Sequence, residues 1–368
     1  MARLAGWLLA LLLVLGGGAA AHAELTRFPA PQPGTAGGPG EGGVLVIYSS
    51  TDLEFIRPLI EGFQALNTDV EVHYHLLPSL ELYNRVLDEV QEQGRTADVL
   101  LSAAMDLQMK LANDGYASAL TPPRGLPEWA VWRREVFGFT HEPAVIAYNR
   151  DGVPPQDVPG TREELRRLLE TQPERYRGKV ATYDPELSGV GFLFASQDAR
   201  RSPVFWKLVD RLGAAGVRLY GNSVEMLDAL AAGEVLIAYN VLGSYARAHA
   251  ERLPQIGIAL PRDYTLVMSR LVLIPKAAVR PDLARRFVDF LLGADGQRIV
   301  AGAAHLYAIL PQIEGELTAK ALRAQLGPAL LPIPVNPGLL LYLDQDKRRR
   351  FLQQWERTLD DTPPPPGR

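Results

Sequence analysis

Cysteine is absent from all 368 residues, which excludes disulfides, iron–sulfur ligation and thiolate zinc. Stability must then come from apolar burial, and a chain of this length with 47% hydrophobic content is large enough for two cores. Acidic and basic residues are nearly balanced, 42 against 38. The formal net charge of −4 gives no electrostatic reason to bind nucleic acid and points to a small-molecule partner. Long hydrophobic runs are missing after the first residues. Catalytic and nucleotide signatures are missing as well. Gly189 and Gly191 lack the third glycine of a dinucleotide loop and the Lys-Ser or Lys-Thr of a P-loop. His141-Glu142 is followed by Pro143, which blocks the helix of a zinc-protease motif, and there is no Gly-x-Ser-x-Gly elbow.

What is present begins with an export signal. Arg3 precedes the apolar run Leu8 to Leu15, and Ala21-His22-Ala23 supplies small residues for cleavage. The run falls short of the roughly 18 residues that a membrane span needs. Residues 1–23 are therefore expected to be a signal peptide cut after Ala23, leaving a periplasmic chain of net charge −5. A retained anchor is the alternative. Proline and glycine dominate the stretch after it, so 24–43 reads as a flexible linker with the fold starting at Val44. The run Pro363 to Pro366 marks 359–368 as a disordered tail. No cysteine follows the signal, so no lipoprotein-type anchor is expected.

Between the ends a short apolar run, a small polar turn and a helical periodicity recur, which is an α/β signature. Val44 to Tyr48 leads through Ser49-Ser50-Thr51 into Phe55, Ile56, Leu59, Ile60 and Phe63. Asp98 to Leu101 leads through Ser102 into Leu107 and Leu111, and Val235 to Tyr239 leads through Asn240 into another helix. Thr161 with Glu164, and Asn222 with Glu225, have the spacing of helix caps. Sheets of this kind place ligands at the carboxyl ends of their strands, where helix starts present unpaired N–H groups that favour an anion.

The order of VLVIYSSTD from Val44, ADVLLSA from Ala97, Val145 to Asn149, DPELSGVGF from Asp184, AAGEVLIAYN from Ala231 and FVDFLLGADGQ from Phe287 resembles a known family. These are the type II periplasmic solute-binding proteins of ABC importers, particularly the branch serving ferric iron, thiamine, phosphonates and sugar phosphates. The resemblance covers about Val44 to Leu310. It implies a monomer with two α/β lobes joined by two crossover strands near 137–148 and 264–274, and a cleft between the lobes. On that pattern 44–138 plus 264–310 form the first lobe and 139–263 the second, with part of 311–358 added to the second.

By the same resemblance Ser49, Ser50, Thr51 and Ser102 match the first lobe's ligand turns. Ser188 and Gly189 match the helix start of the second lobe. Tyr148, Tyr239, Asn240 and Tyr245 fall where relatives line the cleft, and Arg270 on the second crossing is a possible counter-charge. Each hydroxyl could equally cap its own helix. Iron-binding relatives use adjacent tyrosines, whereas Tyr239 and Tyr245 are separated by a loop. No metal or cofactor is therefore expected. His73 and His75 alternate on one strand face, which reads as solvated rather than metal-ligating. The implied function is capture of a small anionic solute, bearing phosphate or carboxylate, and its delivery to importer permeases. A solute sensor for a membrane partner, a ferric-ion carrier and an exported hydrolase are the alternatives.

Overall fold

The computed structural model describes residues 24–32 and 43–360. The expected signal at 1–23, residues 33–42 of the expected linker and the proline-rich end at 361–368 lie outside the described residues.

The chain enters as a strand rather than a linker. β1 (Glu24–Phe28) pairs antiparallel with β3 (Val70–Leu76), and Phe28 is buried. The linker reading over Glu24–Phe28 fails because one aromatic suffices to seat an edge strand when a core side chain receives its backbone. Gln64 provides that seat, donating from its amide to the carbonyls of Phe28 and Val70 at 3.0 and 2.8 Å. β2 (Gly43–Ser49) lies between β3 and β4 (Val99–Ser102), parallel to both. Helices α1 (Leu53–Leu66), α2 (Ser79–Gln93) and α3 (Met105–Asn113) connect these strands. β5 (Val131–Trp132) and β6 (Val136–Gly138) complete this pass.

The backbone then crosses to a second sheet at β7 (Glu142–Asn149). There follow α4 (Arg162–Thr171), α5 (Pro173–Tyr176), β8 (Val180–Tyr183), α6 (Gly189–Arg201), α7 (Phe205–Ala214) and β9 (Arg218–Tyr220). α8 (Ser223–Ala231), β10 (Ile237–Leu242), α9 (Gly243–Arg252), β11 (Ile256–Ala259) and β12 (Thr265–Met268) finish the lobe. Thr161 and Asn222 accept the N–H of Glu164 and Glu225 at 3.0 and 2.9 Å, as the cap spacing implies.

A second crossing returns to the first sheet at β13 (Leu271–Leu273), followed by α10 (Pro281–Leu292) and α11 (Ala294–Ala301). Phe63 of α1 meets Phe287 of α10 edge to face at 5.2 Å between centroids. α12 (Ala319–Leu326), β14 (Leu330–Pro332) and α13 (Gln345–Asp360) end the described chain. Leu359 and Asp360, read from sequence as tail, are the last turn of α13.

Among the described residues each sheet has seven strands. The first is ordered β1-β3-β2-β4-β13-β6-β5; the second is β14-β12-β7-β10-β8-β9, with β11 also on β7. Thr265–Met268 pairs with β7 and β14, so it belongs to the second sheet and not to the first lobe, where the sequence placed 264–310. The carboxyl ends of β2 and β4 in one sheet, and of β8 and β10 in the other, are the ends nearest the crossings. That geometry sets the site.

Candidate functional site

Where the lobes meet, the turns after β2 and β4 and the start of α2 bring three hydroxyls together. Ser50 Oγ donates to Ser102 Oγ at 3.2 Å, and Ser102 Oγ approaches Ser79 Oγ at 3.4 Å. Backbone N–H groups hold two of them in place, Ala103 donating to Ser50 at 3.2 Å and Ala104 to Ser102 at 3.1 Å. Facing them from the second lobe is the start of α6, where Ser188 accepts the N–H of Gly191 at 3.2 Å. Contact is direct at Gly189. A Cβ there would come within 2.9 Å of the Cβ atoms of both Ser79 and Ala104, so only glycine lets the lobes close this far. Ser79 was not singled out in the sequence because a serine opening a helix carries no signal beyond capping.

Beside this seam lies an open hollow of about 530 Å³, walled by α2 and the turn before α6. Glu81, Asp88, Glu89, Glu92 and Glu186 line it together with Arg85, so its rim is acidic. Asp106, in the first turn of α3 just past the Ser102 bend, is buried, and burial pushes its carboxyl up to about 6. Its Oδ1 accepts the N–H of Leu107 at 3.0 Å, which occupies part of the start of α3. Among the described residues no group of three or more His, Asp or Glu could hold a metal ion.

The floor of the seam is a buried ionic network built on the two crossings. Arg270 and Glu142 are both fully buried; Arg270 Nε donates to Glu142 Oε1 at 2.6 Å and Arg270 Nη1 donates to Thr51 Oγ1 at 3.0 Å. Ser244 of the second lobe donates to the same carboxylate, and Tyr74 of the first donates to the Thr51 carbonyl. Tyr245 lies under the Arg270 guanidinium at 5.1 Å and accepts the N–H of Asp52, the residue before α1, at 3.2 Å. Burial holds the Tyr245 phenol well above its usual range, so it stays neutral in this role.

Several residues expected at the cleft are elsewhere or otherwise engaged. Arg270 is no free counter-charge, because a guanidinium taken out of water needs a carboxylate and Glu142 supplies it. Tyr148 sits near the end of β7 remote from the crossing, its ring against Gly257. Tyr239 points into the second lobe's core among Leu165, Leu168 and Leu208, and its hydroxyl donates to Asp198 at 2.6 Å. Successive strand residues alternate faces, which sequence spacing alone does not orient. Asn240 adopts a left-handed φ of 62° and donates to Asp198 at 2.8 Å. Ser49 is buried and accepts the N–H of Thr51 at 3.0 Å, so it shapes the turn. Of the eleven residues proposed, the seam unites Ser50, Ser102, Ser188 and Gly189, with Thr51, Tyr245 and Arg270 beneath them.

A family model described as bacterial extracellular solute-binding protein matches residues 45–303. The crystal structure of the substrate-binding protein of an ABC transporter from Agrobacterium tumefaciens is 42% identical, with a TM-score of 0.87 over 92% of this chain and 99% of that one. A periplasmic binding protein from Actinobacillus pleuropneumoniae, with fructose-6-phosphate bound, shares the fold at 18% identity and a TM-score of 0.70 over 86% of this chain and 98% of that one. A putrescine/cadaverine-binding protein of Pseudomonas aeruginosa is 29% identical over 199 residues, 50% of this chain and 54% of that protein. The chain thus spans about half the length of that curated relative.

Proposed function

Because this chain belongs to the bacterial extracellular solute-binding proteins, we propose that it captures a small solute with an anionic end between its lobes. It then hands that solute to the permease subunits of an ABC importer. The observation that carries the reading is the convergence of Ser50, Ser79 and Ser102 from one lobe on the Gly189 helix start of the other. α2 has no side-chain cap at its start, so its first N–H groups are available to an anion, and α6 begins with a glycine that lets the first lobe close onto it. Each helix start contributes about 0.3–1 kcal/mol toward an anion, with hydroxyl donors adding to it. A solute touching both lobes binds the closed state preferentially; converting a mostly open to a mostly closed population takes about 5.5 kcal/mol of differential affinity. Capture is assigned to the periplasm, after cleavage of the signal behind Ala23, with the protein acting as a monomer.

A second reading is a diamine. Asp106 is a buried carboxylate just past the Ser102 bend, and the hollow beside the seam, walled by α2 and the turn before α6, is ringed by acids. The name of the Pseudomonas relative points the same way.

A thermal-shift comparison of fructose-6-phosphate, methylphosphonate and putrescine separates the two. Saturation at about 100 times Kd stabilises by about 2.7 kcal/mol. The anionic reading expects a shift with a phosphate or phosphonate and none with putrescine; the reverse selects the diamine. Ser50→Leu and Ser188→Leu are expected to fold yet lose the shift. Undiminished ligand affinity in both variants rejects this seam as the site.

A further inference from the structure

After a third passage between α11 and α12 has returned the chain to the second lobe, a segment that belongs to neither sheet touches the first lobe once more. β14 pairs parallel with β12 of the second sheet, and the N–H of Ile333 donates to the Val267 carbonyl at 2.8 Å. From there the chain leaves the second lobe. Its 3-10 turn at Pro337–Tyr342, opened by Asn336 accepting the N–H of Gly338 at 2.8 Å, packs on α3 of the first lobe. Leu339 is 5% exposed and shares one apolar cluster with Met105 and Met109 of α3. The chain then returns as α13, whose Phe351 and Trp355 join Phe192 of α6 and Phe205 of α7. Its last turn lies so close to α7 that a Cβ at Gly213 would stand 2.3 Å from the Leu359 carbonyl oxygen.

Both ends of the strap are therefore fixed to the second lobe while its middle rests on the first. α3 begins at the bend, Ser102 to Ala104, that meets Gly189 across the seam. Any rotation that parts Ala104 from Gly189 moves α3 away from the second lobe. That motion must either lift Leu339 off α3 or pull the strap from its anchors. Exposing an apolar side chain opposes it, and this opposition exists with no solute bound.

We propose that the segment from Pro334 to Leu343 is a latch that holds the two lobes together in the absence of solute, with Leu339 as its catch. It sets the open fraction from which capture begins, since apparent affinity scales with the population of the competent state. The latch does not depend on which solute the seam accepts, and its test uses none.

The full chain has no cysteine, so Glu61→Cys on α1 and Glu174→Cys on α5, exposed positions on opposite lobes, take a donor–acceptor pair without side reactions. Single-molecule energy transfer then reads the open fraction. Leu339→Ser is expected to raise it about tenfold over the parent. Hydrogen exchange over 337–342 and over α3 verifies that the strap has released. Gly213→Val, which displaces α13 and so loosens the far anchor, is expected to act in the same direction and covers the case in which Leu339→Ser does not fold. An open fraction equal to the parent's, with exchange at 337–342 accelerated, overturns the latch. So does a parent that is already open while 337–342 stays protected.

Discussion

At the scale of the residue, two buried titratable groups pull stability in opposite directions over one pH window. Burial lowers the His141 imidazole to about 4, against about 6.5 unfolded, so the unfolded chain binds more protons between those values. Stability from His141 is complete above pH 6.5 and is lost as the pH falls toward 4. Burial raises the Asp106 carboxyl to about 6, so the native chain keeps a proton that the unfolded chain has released. Its penalty grows as the pH rises from about 4 to 6. Each effect is on the order of 3 kcal/mol, and between pH 4 and 6 their pH dependences nearly cancel. Asp106→Asn is expected to raise the melting temperature at pH 7.5 and leave it unchanged at pH 4. His141→Asn is expected to leave the Asp106 slope uncompensated, so that its melting temperature falls as the pH rises from about 4 to 6. Thermal melts from pH 4 to 8 read both, and parallel profiles for the parent and both variants would contradict the assignment.

The sequence disclosed some of this scale and concealed the rest. Ser50, Ser102 and Gly189 were legible as candidates because they stand in polar turns at the ends of buried strands, where a hydroxyl serves either a ligand or its own helix cap. Tyr239 and Tyr148 misled, since which way a strand residue faces depends on the sheet's neighbours. Arg270 was legible as a charge at a crossing, but its partner Glu142 lies 128 residues away and only folding joins them.

At the scale of the element, β1 shows how little composition says about an edge strand. The segment Glu24–Phe28 precedes a stretch rich in glycine and proline, yet its backbone completes the sheet and Phe28 reaches the core. Arg57 lies over the Phe28 ring at 5.0 Å, so the aromatic also anchors α1. Phe28→Ala is expected to cost about 3 kcal/mol, the usual range for removing a buried phenylalanine, and to expose the β3 edge. Urea unfolding measures the loss; a cost within about 0.5 kcal/mol of zero would make β1 a passive passenger. Proposed cleavage behind Ala23 would leave Glu24, the first residue of β1, as the new amino terminus. Caps at Thr161 and Asn222 were readable because a cap and its helix are contiguous in sequence.

At the scale of the molecule, the Arg270–Glu142 pair links the two crossings, one partner on each, and its outer contacts reach Thr51 in one lobe and Ser244 in the other. Breaking a buried pair leaves one charge stranded, at a cost of about 3–5 kcal/mol. Arg270→Met and Glu142→Gln are each expected to lower the melting midpoint by roughly 5–10 °C. The double variant is expected to lose much less than the sum of the two. Additive losses in that cycle would mean the pair is not coupled.

The sequence by itself determined the α/β class and three of its strand–turn–helix units, because burial on both faces of short apolar runs followed by helical periodicity admits few other arrangements. It also determined which bends could face a solute, through their small and hydroxyl-bearing residues. Only the tertiary structure decided that Ser79 joins those bends, that Arg270 is already paired, and that the last segment straps one lobe to the other. Those outcomes rest on contacts between residues far apart in the chain, which local periodicity does not encode.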